Sequence, residues 1–218
     1  MGHVSSLEDM FSGVYANSRW GKSSDPTTPF YSGLGSHDPG LVTPYVASVR
    51  QFLATFPDKP SVVDLGCGDF HIGSRIRDTA SGYVACDIVP ALIERNRSAF
   101  AQMEVDFRCL DLTRDPLPEG DVAFVRQVFQ HLSNENIQKA LDQITATYQY
   151  LVVTEHVPLG NFVPNIDKKD DHTIRLDYGS GVDITKPPFR FSPLFAKTLC
   201  QVNGYGGCIV TTLYRLTV

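Results

Sequence analysis

Three aspartates recur along this chain at the ends of short apolar runs: Asp64 closes "SVVDL", Asp87 closes "GYVACDI" and Asp111 follows "VDFRCL". They stand 23 and 24 residues apart, each interval about the length of one strand and one helix. In a sheet built from such units, ligands bind beyond the carboxyl ends of the strands, at the point where strand order reverses. Between the first two lies "GCGDF", where Gly66 and Gly68 let the backbone turn sharply and approach a ligand with no Cβ in the way. A carboxylate after the second strand can accept hydrogen bonds from both hydroxyls of a ribose. Each aspartate also has a plainer reading. Asp64 and Asp87 could cap the helices that follow them, and Asp111 could form the turn in "LDLTRDP".

The glycine loop fails as a dinucleotide fingerprint. Counted from Gly66, the last glycine position is His71, and Phe70 fills a slot where a third glycine is often found. A pyrophosphate at a helix N-terminus would also be repelled by Asp69. A nucleoside without phosphates and with positive charge would be attracted by Asp64 and Asp69. S-adenosyl-L-methionine, with its ammonium, sulfonium and ribose diol, meets that description.

The elements needed to hold such a site are written around it. Residues 61–156 alternate apolar strand patterns with helical ones, which implies a mainly parallel sheet covered on both faces. Ser6 is a candidate cap for a helix in "SLEDMFSGVYANSRW", which ends near Trp20, and "LVTPYVASVRQFLATF" has apolar residues at helical spacing. "HIGSRIRD" reads as helical, Pro90 opens the helix "PALIERNRSAFAQM", and Asn134 is a cap for the next. "SPLFAKTLCQVN" reads as a last helix and "CIVTTLYRLTV" as a terminal strand. The fold class expected is α/β, a three-layer α/β/α sandwich with a Rossmann-like, mainly parallel sheet and an antiparallel C-terminal edge strand. One domain over 1–218 is expected: a helical cover at 1–58, a donor-binding core at 59–156, an acceptor-side insertion at 157–192, and a helix and strand at 193–218.

"VVDLGCGDF", "ACDIVPALI", "LDLTRDPLPEGDVAFVRQVFQHLSN" and "YLVVTEH" together resemble the successive motifs of class I S-adenosylmethionine-dependent methyltransferases. The chain is similar to small bacterial members with a Gly-Cys-Gly-Asp-aromatic loop, a Gln-His-Leu-Ser segment, an Asn-x-Asp and a Pro-Pro-Phe. Here the last two are Asn165–Asp167 and Pro187–Phe189. The resemblance implies S-adenosyl-L-methionine as methyl donor and S-adenosyl-L-homocysteine as product. It implies Asp64, Gly66, Cys67, Gly68 and Asp69 around the methionine part, Asp87 on the ribose and Ile88 against the adenine. Asp111 and Leu112 would hold the adenine amino group, and Arg126 and Gln127 would line the methionine portion. It also implies a small polar acceptor, a sugar, glycan precursor or secondary metabolite, with oxygen slightly preferred over nitrogen. An RNA or protein methyltransferase, or a donor-binding protein without turnover, are the alternatives.

His131 is the candidate proton acceptor, since an imidazole titrates near neutrality. Glu155 and His156, closing the fifth strand, are further candidates for catalysis. Their plainer roles are ordering a loop and facing solvent. Tyr31, Asn165 and Arg175 are candidate acceptor contacts, and Tyr31 to Gly33 with Ser36 and His37 a candidate lid. Arg175 and Asp177 could equally form a surface ion pair. The run Asp170, Asp171, His172 lacks a structured ligand spacing, so no metal is expected. "KPPF" follows the fifth strand and not the fourth, so it does not read as the motif of amino-directed DNA methyltransferases.

A net charge of −5 shows no basic footprint for nucleic acid or an anionic membrane, and a small-molecule partner is expected. No run reaches the length of a membrane span, and the first residues lack a signal-peptide pattern. "MGHVSS" meets the short myristoylation pattern through Gly2, though a loose start is the better reading. Five cysteines without Cys-x-x-Cys spacing fit a reduced, cytoplasmic protein.

Overall fold

The computed structural model describes residues 6–23 and 29–216. Gly2, in the myristoylation-like start, lies outside the described residues. Helix α1 (Leu7–Ala16) starts where Ser6 and Asp9 close a reciprocal capping box, which satisfies two of the free amides of its first turn. Helix α2 (Leu34–His37) is a single turn. It leads into α3 (Pro39–Leu53), whose first turn is held by the Asp38 carboxylate on Gly40 N at 2.7 Å and by Pro39 at its start. Helices α4 (Pro90–Ala99) and α5 (Asn134–Thr147) complete the set. Ser133, and not Asn134, caps α5: its hydroxyl accepts from Asn136 N, while Asn134 already belongs to the first turn.

The strands are β1 (Val62–Leu65), β2 (Tyr83–Asp87), β3 (Asp106–Cys109), β4 (Val122–Arg126), β5 (Tyr150–Pro158), β6 (Phe195–Gly204) and β7 (Gly207–Arg215). They form one sheet in the order β3-β2-β1-β4-β5-β7-β6. β1 to β5 are parallel, and β7 runs antiparallel between β5 and β6. The order reverses between β1 and β4, so the carboxyl ends of these two strands diverge into a crevice. Alternation along β1 divides the core. Val63 and Leu65 face the layer holding α1 and α5, while Val62 faces the layer holding α3. Among the described residues no helix is long and apolar enough to cross a membrane.

Two expected helices are absent. "HIGSRIRD" folds as two successive 3-10 turns, Gly73–Arg75 and Arg77–Thr79, where Gly73 and Ser74 are weak helix formers in the middle of a short segment. "SPLFAKTLCQVN" contributes strand β6, hairpinned to β7 through Tyr205 and Gly206, both at positive φ (50° and 79°). Two such central residues make the turn whose twist matches paired strands. The antiparallel C-terminal strand is therefore β7, one place in from the edge, and β6 holds the edge itself.

Candidate active site

The ends of β1, β2 and β4 open into a cavity of about 400 Å³. Its floor is the loop after β1. Gly66 and Gly68 sit at φ 84° and 55°, and a Cβ on either would strike a neighbour, Val128 in one case and Ser32 in the other. Phe70 explains how the loop does without its third glycine. The residue itself adopts φ 62°, the left-handed backbone a glycine would supply. Its ring is fully buried among Tyr83, Phe100 and Phe107, with centroids 5.6, 5.1 and 4.9 Å away and nearly perpendicular planes. Gly73 leaves the space for that ring, since a Cβ there would meet it.

Asp64 is buried in β1 and its Oδ2 accepts from Tyr83 OH at 3.0 Å. Burial outweighs that bond and pushes its carboxyl up to about 7. Asp87 accepts from Gly68 N at 3.0 Å and from Val89 N at 3.1 Å, which locks the loop to the end of β2, and burial raises it to about 6. Each oxygen keeps a second lone pair for a ligand hydroxyl. Asp111 holds a turn through Thr113 N and Thr113 Oγ1 at 2.9 and 2.6 Å, so the plainer reading of this residue is realised while it still lines the cavity.

Arg126, at the end of β4, reaches across to the segment containing α2. It donates to Gly35 O at 2.6 Å and Ser36 Oγ at 3.2 Å, and its guanidinium lies 4.8 Å above the Tyr45 ring. Asp69 fastens the same segment from below: it accepts from Ser32 N at 2.9 Å and lies 2.6 Å from His37 Nε2. Burial alone would raise the Asp69 carboxyl, but His37 and the Ser32 and His71 amides hold it below the usual range. The roof is α1, with Leu7, Phe11 and Tyr15 on the cavity, followed by Trp20. Tyr15 OH meets Ser32 Oγ at 3.0 Å and so joins the roof to the α2 segment.

The cavity brings together Asp64, Gly66, Cys67, Gly68, Asp87, Ile88, Asp111, Leu112, Arg126, Gln127, His131 and His156. Five expected site residues do not reach it. Asp69 is engaged with the α2 segment, and Tyr31 stacks on His37 with centroids 4.5 Å apart. Glu155 is buried behind the site, where it accepts from Phe129 N at 3.1 Å, and burial pushes it up to about 8. Arg175 is 1% exposed and donates to Phe129 O, Asn134 Oδ1 and Ile166 O. Asn165 donates to Asp183 O and Pro187 O and accepts from Asp183 N. These last three brace the turn after β4 and the loop after β5. Sequence reasoning missed Trp20, His172 and Tyr205 on the wall. The Phe11/Tyr15 spacing on one helix face was the available signal for the roof.

The sequence model of a family described as "Methyltransferase domain" matches residues 62–149. Those residues hold β1 to β4, α4 and α5, the strand-end carboxylates and the glycine loop. The match to that methyltransferase-domain model covers 88 of the 218 residues. Over nearly the whole chain the fold is that of solved methyltransferases. The N-methyltransferase NodS from Bradyrhizobium japonicum WM9 superposes with a TM-score of 0.66 at 14% identity, over 95% of this chain and 99% of that one. Magnesium protoporphyrin IX methyltransferase from Synechocystis PCC 6803 gives 0.62 at 14% identity, over 99% and 100%. Human N-acetylserotonin methyltransferase gives 0.56 at 16% identity, over 94% of this chain and 62% of that one. A search of curated proteins returned no match. The helical roof and the loop after β5 lie outside the matched span and complete the cavity.

Proposed function

We propose that the protein transfers a methyl group from S-adenosyl-L-methionine to a small polar acceptor within the cavity over β1, β2 and β4. The observation that carries this reading is the charge of the wall. Asp64, Asp87, Asp111 and Asp177 line it, and Arg126 is the one lysine or arginine among its described residues. Both terminal nitrogens of Arg126 are tethered, to Gly35, Ser36 and Gln127, and its buried Nε is the one donor left without a partner. A phosphorylated coenzyme would meet carboxylates without a free cation, whereas a sulfonium with an ammonium group is complementary to them.

The residues then divide by task. Gly66 and Gly68 let backbone approach the methionine part, with Asp64 beneath it as counter-charge. Asp87 accepts from the ribose hydroxyls, and Ile88, Asp111 and Leu112 frame the base under Leu7 and Phe11. Arg126 and Gln127 hold the α2 segment over the methionine end. The donor supplies an electrophilic methyl on a positively charged sulfur. The protein's share is to hold the acceptor atom in line with that carbon and exclude water, a form of catalysis that positioning alone can accelerate greatly.

A cavity of about 400 Å³ lies toward the lower end of small-molecule sites, roughly 300–1,000 Å³. Trp20, His131 and His172 line the same cavity and are the candidates to meet a small acceptor beside the donor. The acidic wall disfavours a polynucleotide backbone. The five cysteines are all free, which suits a reducing compartment such as the cytoplasm.

Calorimetric titration with S-adenosyl-L-methionine, S-adenosyl-L-homocysteine and NAD tests the reading directly. The first two are expected to bind and NAD is not; the reverse pattern refutes it. Asp87→Ala should weaken donor binding by about 1–3 kcal/mol through loss of charged hydrogen bonds, and unchanged affinity removes Asp87 from the ribose site. Incubating the donor with panels of hydroxyl and amine compounds, and reading the mass gain of one CH2, then identifies the acceptor.

A further inference from the structure

The histidine selected by sequence, His131, has no lone pair to offer a substrate. Its Nδ1 lies 3.2 Å from Thr173 O, and a carbonyl oxygen only accepts, so Nδ1 carries the proton. Nε2 is then an acceptor, and Gln130 Nε2 stands 3.3 Å away to donate to it. The amide cannot be turned the other way, because the same Gln130 nitrogen faces the carbonyl of Gln127 at 3.4 Å. Burial against Phe11 and Trp20 also drives the ring down to about 4. His131 is thus a neutral, doubly tethered part of the wall.

Two other imidazoles line the cavity. His156 lies under the β6–β7 turn and gives its Nε2 proton to Gly204 O at 3.1 Å. Its ring is tight against that turn: a Cβ on Gly207 would come within 2.7 Å of Nε2. His172 differs from both. Its backbone is fixed, since its carbonyl accepts from Trp20 Nε1 at 3.3 Å, but its ring makes no hydrogen bond to any described residue. The neighbouring Asp171 is occupied by Thr173 N and Lys168 Nζ, each at 2.8 Å, so it does not tie the ring down. His172 is half-buried on the wall beside His131, near enough for its charge to act on that ring, with Lys168 and Asp171 also in range.

We infer that His172, and not His131, is the group that takes the acceptor's proton; this rests on the methyl-transfer reading above. As the acceptor oxygen or nitrogen forms its bond to the methyl carbon, the carbon–sulfur bond breaks with its electron pair passing to sulfur. The proton released from the acceptor passes to the open ring nitrogen of His172 and from there to water. His131 serves as the positioning residue. Through Thr173 O it holds in place the segment that carries His172, and through Trp20 it packs against the residue that fixes the His172 carbonyl.

Diethyl pyrocarbonate, which acylates unprotonated imidazole lone pairs, tests this without turnover. With S-adenosyl-L-homocysteine present at neutral pH, peptide mass mapping should show His172 acylated and His131 protected; acylation of His131 with His172 untouched overturns the assignment. In methyl transfer to catechol as a hydroxyl probe, His172→Asn should lower kcat by at least about ten-fold and remove the acid limb of the pH profile, with the KM for the donor unchanged. His131→Asn and His156→Asn should each keep that limb. Wild-type kcat in His172→Asn, or loss of the limb in either of the other two, overturns the proposal. A protein that binds no S-adenosyl-L-methionine overturns the reading of the site and this inference with it. One that binds the donor and leaves His172 inert overturns this inference alone.

Discussion

Phe70 carries a conflict between side chain and backbone that can be measured. Its ring is fully buried among three aromatic neighbours, while its φ of 62° is one that residues other than glycine rarely adopt. Phe70→Ala should cost about 3–5 kcal/mol, the usual result of emptying such a site. Phe70→Gly removes the same ring but relieves the left-handed backbone, worth roughly 1 kcal/mol. The glycine variant should therefore be at least as stable as the alanine variant, opposite to their order in ordinary structure, and denaturant unfolding of the pair decides it. At this scale the sequence was readable where a residue's role follows from its place on a strand. Asp64 and Asp87 end parallel strands, and strand ends meet at the crevice. It was not readable for Glu155, Asn165 or Arg175. A polar residue after a strand looks the same in sequence whether it faces a ligand or braces backbone from a distant segment.

At the scale of elements, the loop after β5 is organised by one side chain. Asn165 is buried at φ 59°, donates to Asp183 O and Pro187 O, and accepts from Asp183 N. It thereby ties the start of the loop to its end. Asn165→Ala leaves buried backbone groups without partners and should destabilise the protein by about 2–4 kcal/mol, seen as a lowered unfolding midpoint in denaturant. Helix α1 was legible from its Ser6 cap and α3 from its apolar spacing. Strand β6 was not, since an edge strand is largely exposed and shows no strict alternation of apolar and polar residues. Its signal lay instead in "GYGG", residues 204–207, whose two central positions take the positive φ of a tight hairpin.

For the whole molecule, the raised carboxyls of the crevice tie folding and donor binding to pH. Asp64 and Asp87 are lifted from 3.8 to about 7 and about 6, so in this range the folded protein holds protons that the unfolded chain has released. Their contribution to stability is present below about pH 4 and is lost as pH rises through 6 to 7. A cationic donor favours the ionised carboxylates, so its affinity has the opposite slope. Binding of S-adenosyl-L-methionine should tighten between pH 5 and pH 8, by up to about ten-fold per unit where one proton is linked, and should release protons. Calorimetry in two buffers of different ionisation enthalpy measures that release. A flat pH dependence would show that neither carboxylate meets the positive charge.

The roof over the cavity also has a kinetic meaning. Helix α1 and the α2 segment are joined through Tyr15 and Ser32, and the α2 segment is anchored on opposite sides by Arg126 and Asp69. On the methyl-transfer reading, a nucleoside held below leaves more slowly while this latch of hydrogen bonds stays closed. Escape of the demethylated donor is then expected to slow turnover, which would make the protein sensitive to the ratio of fresh to used donor around it.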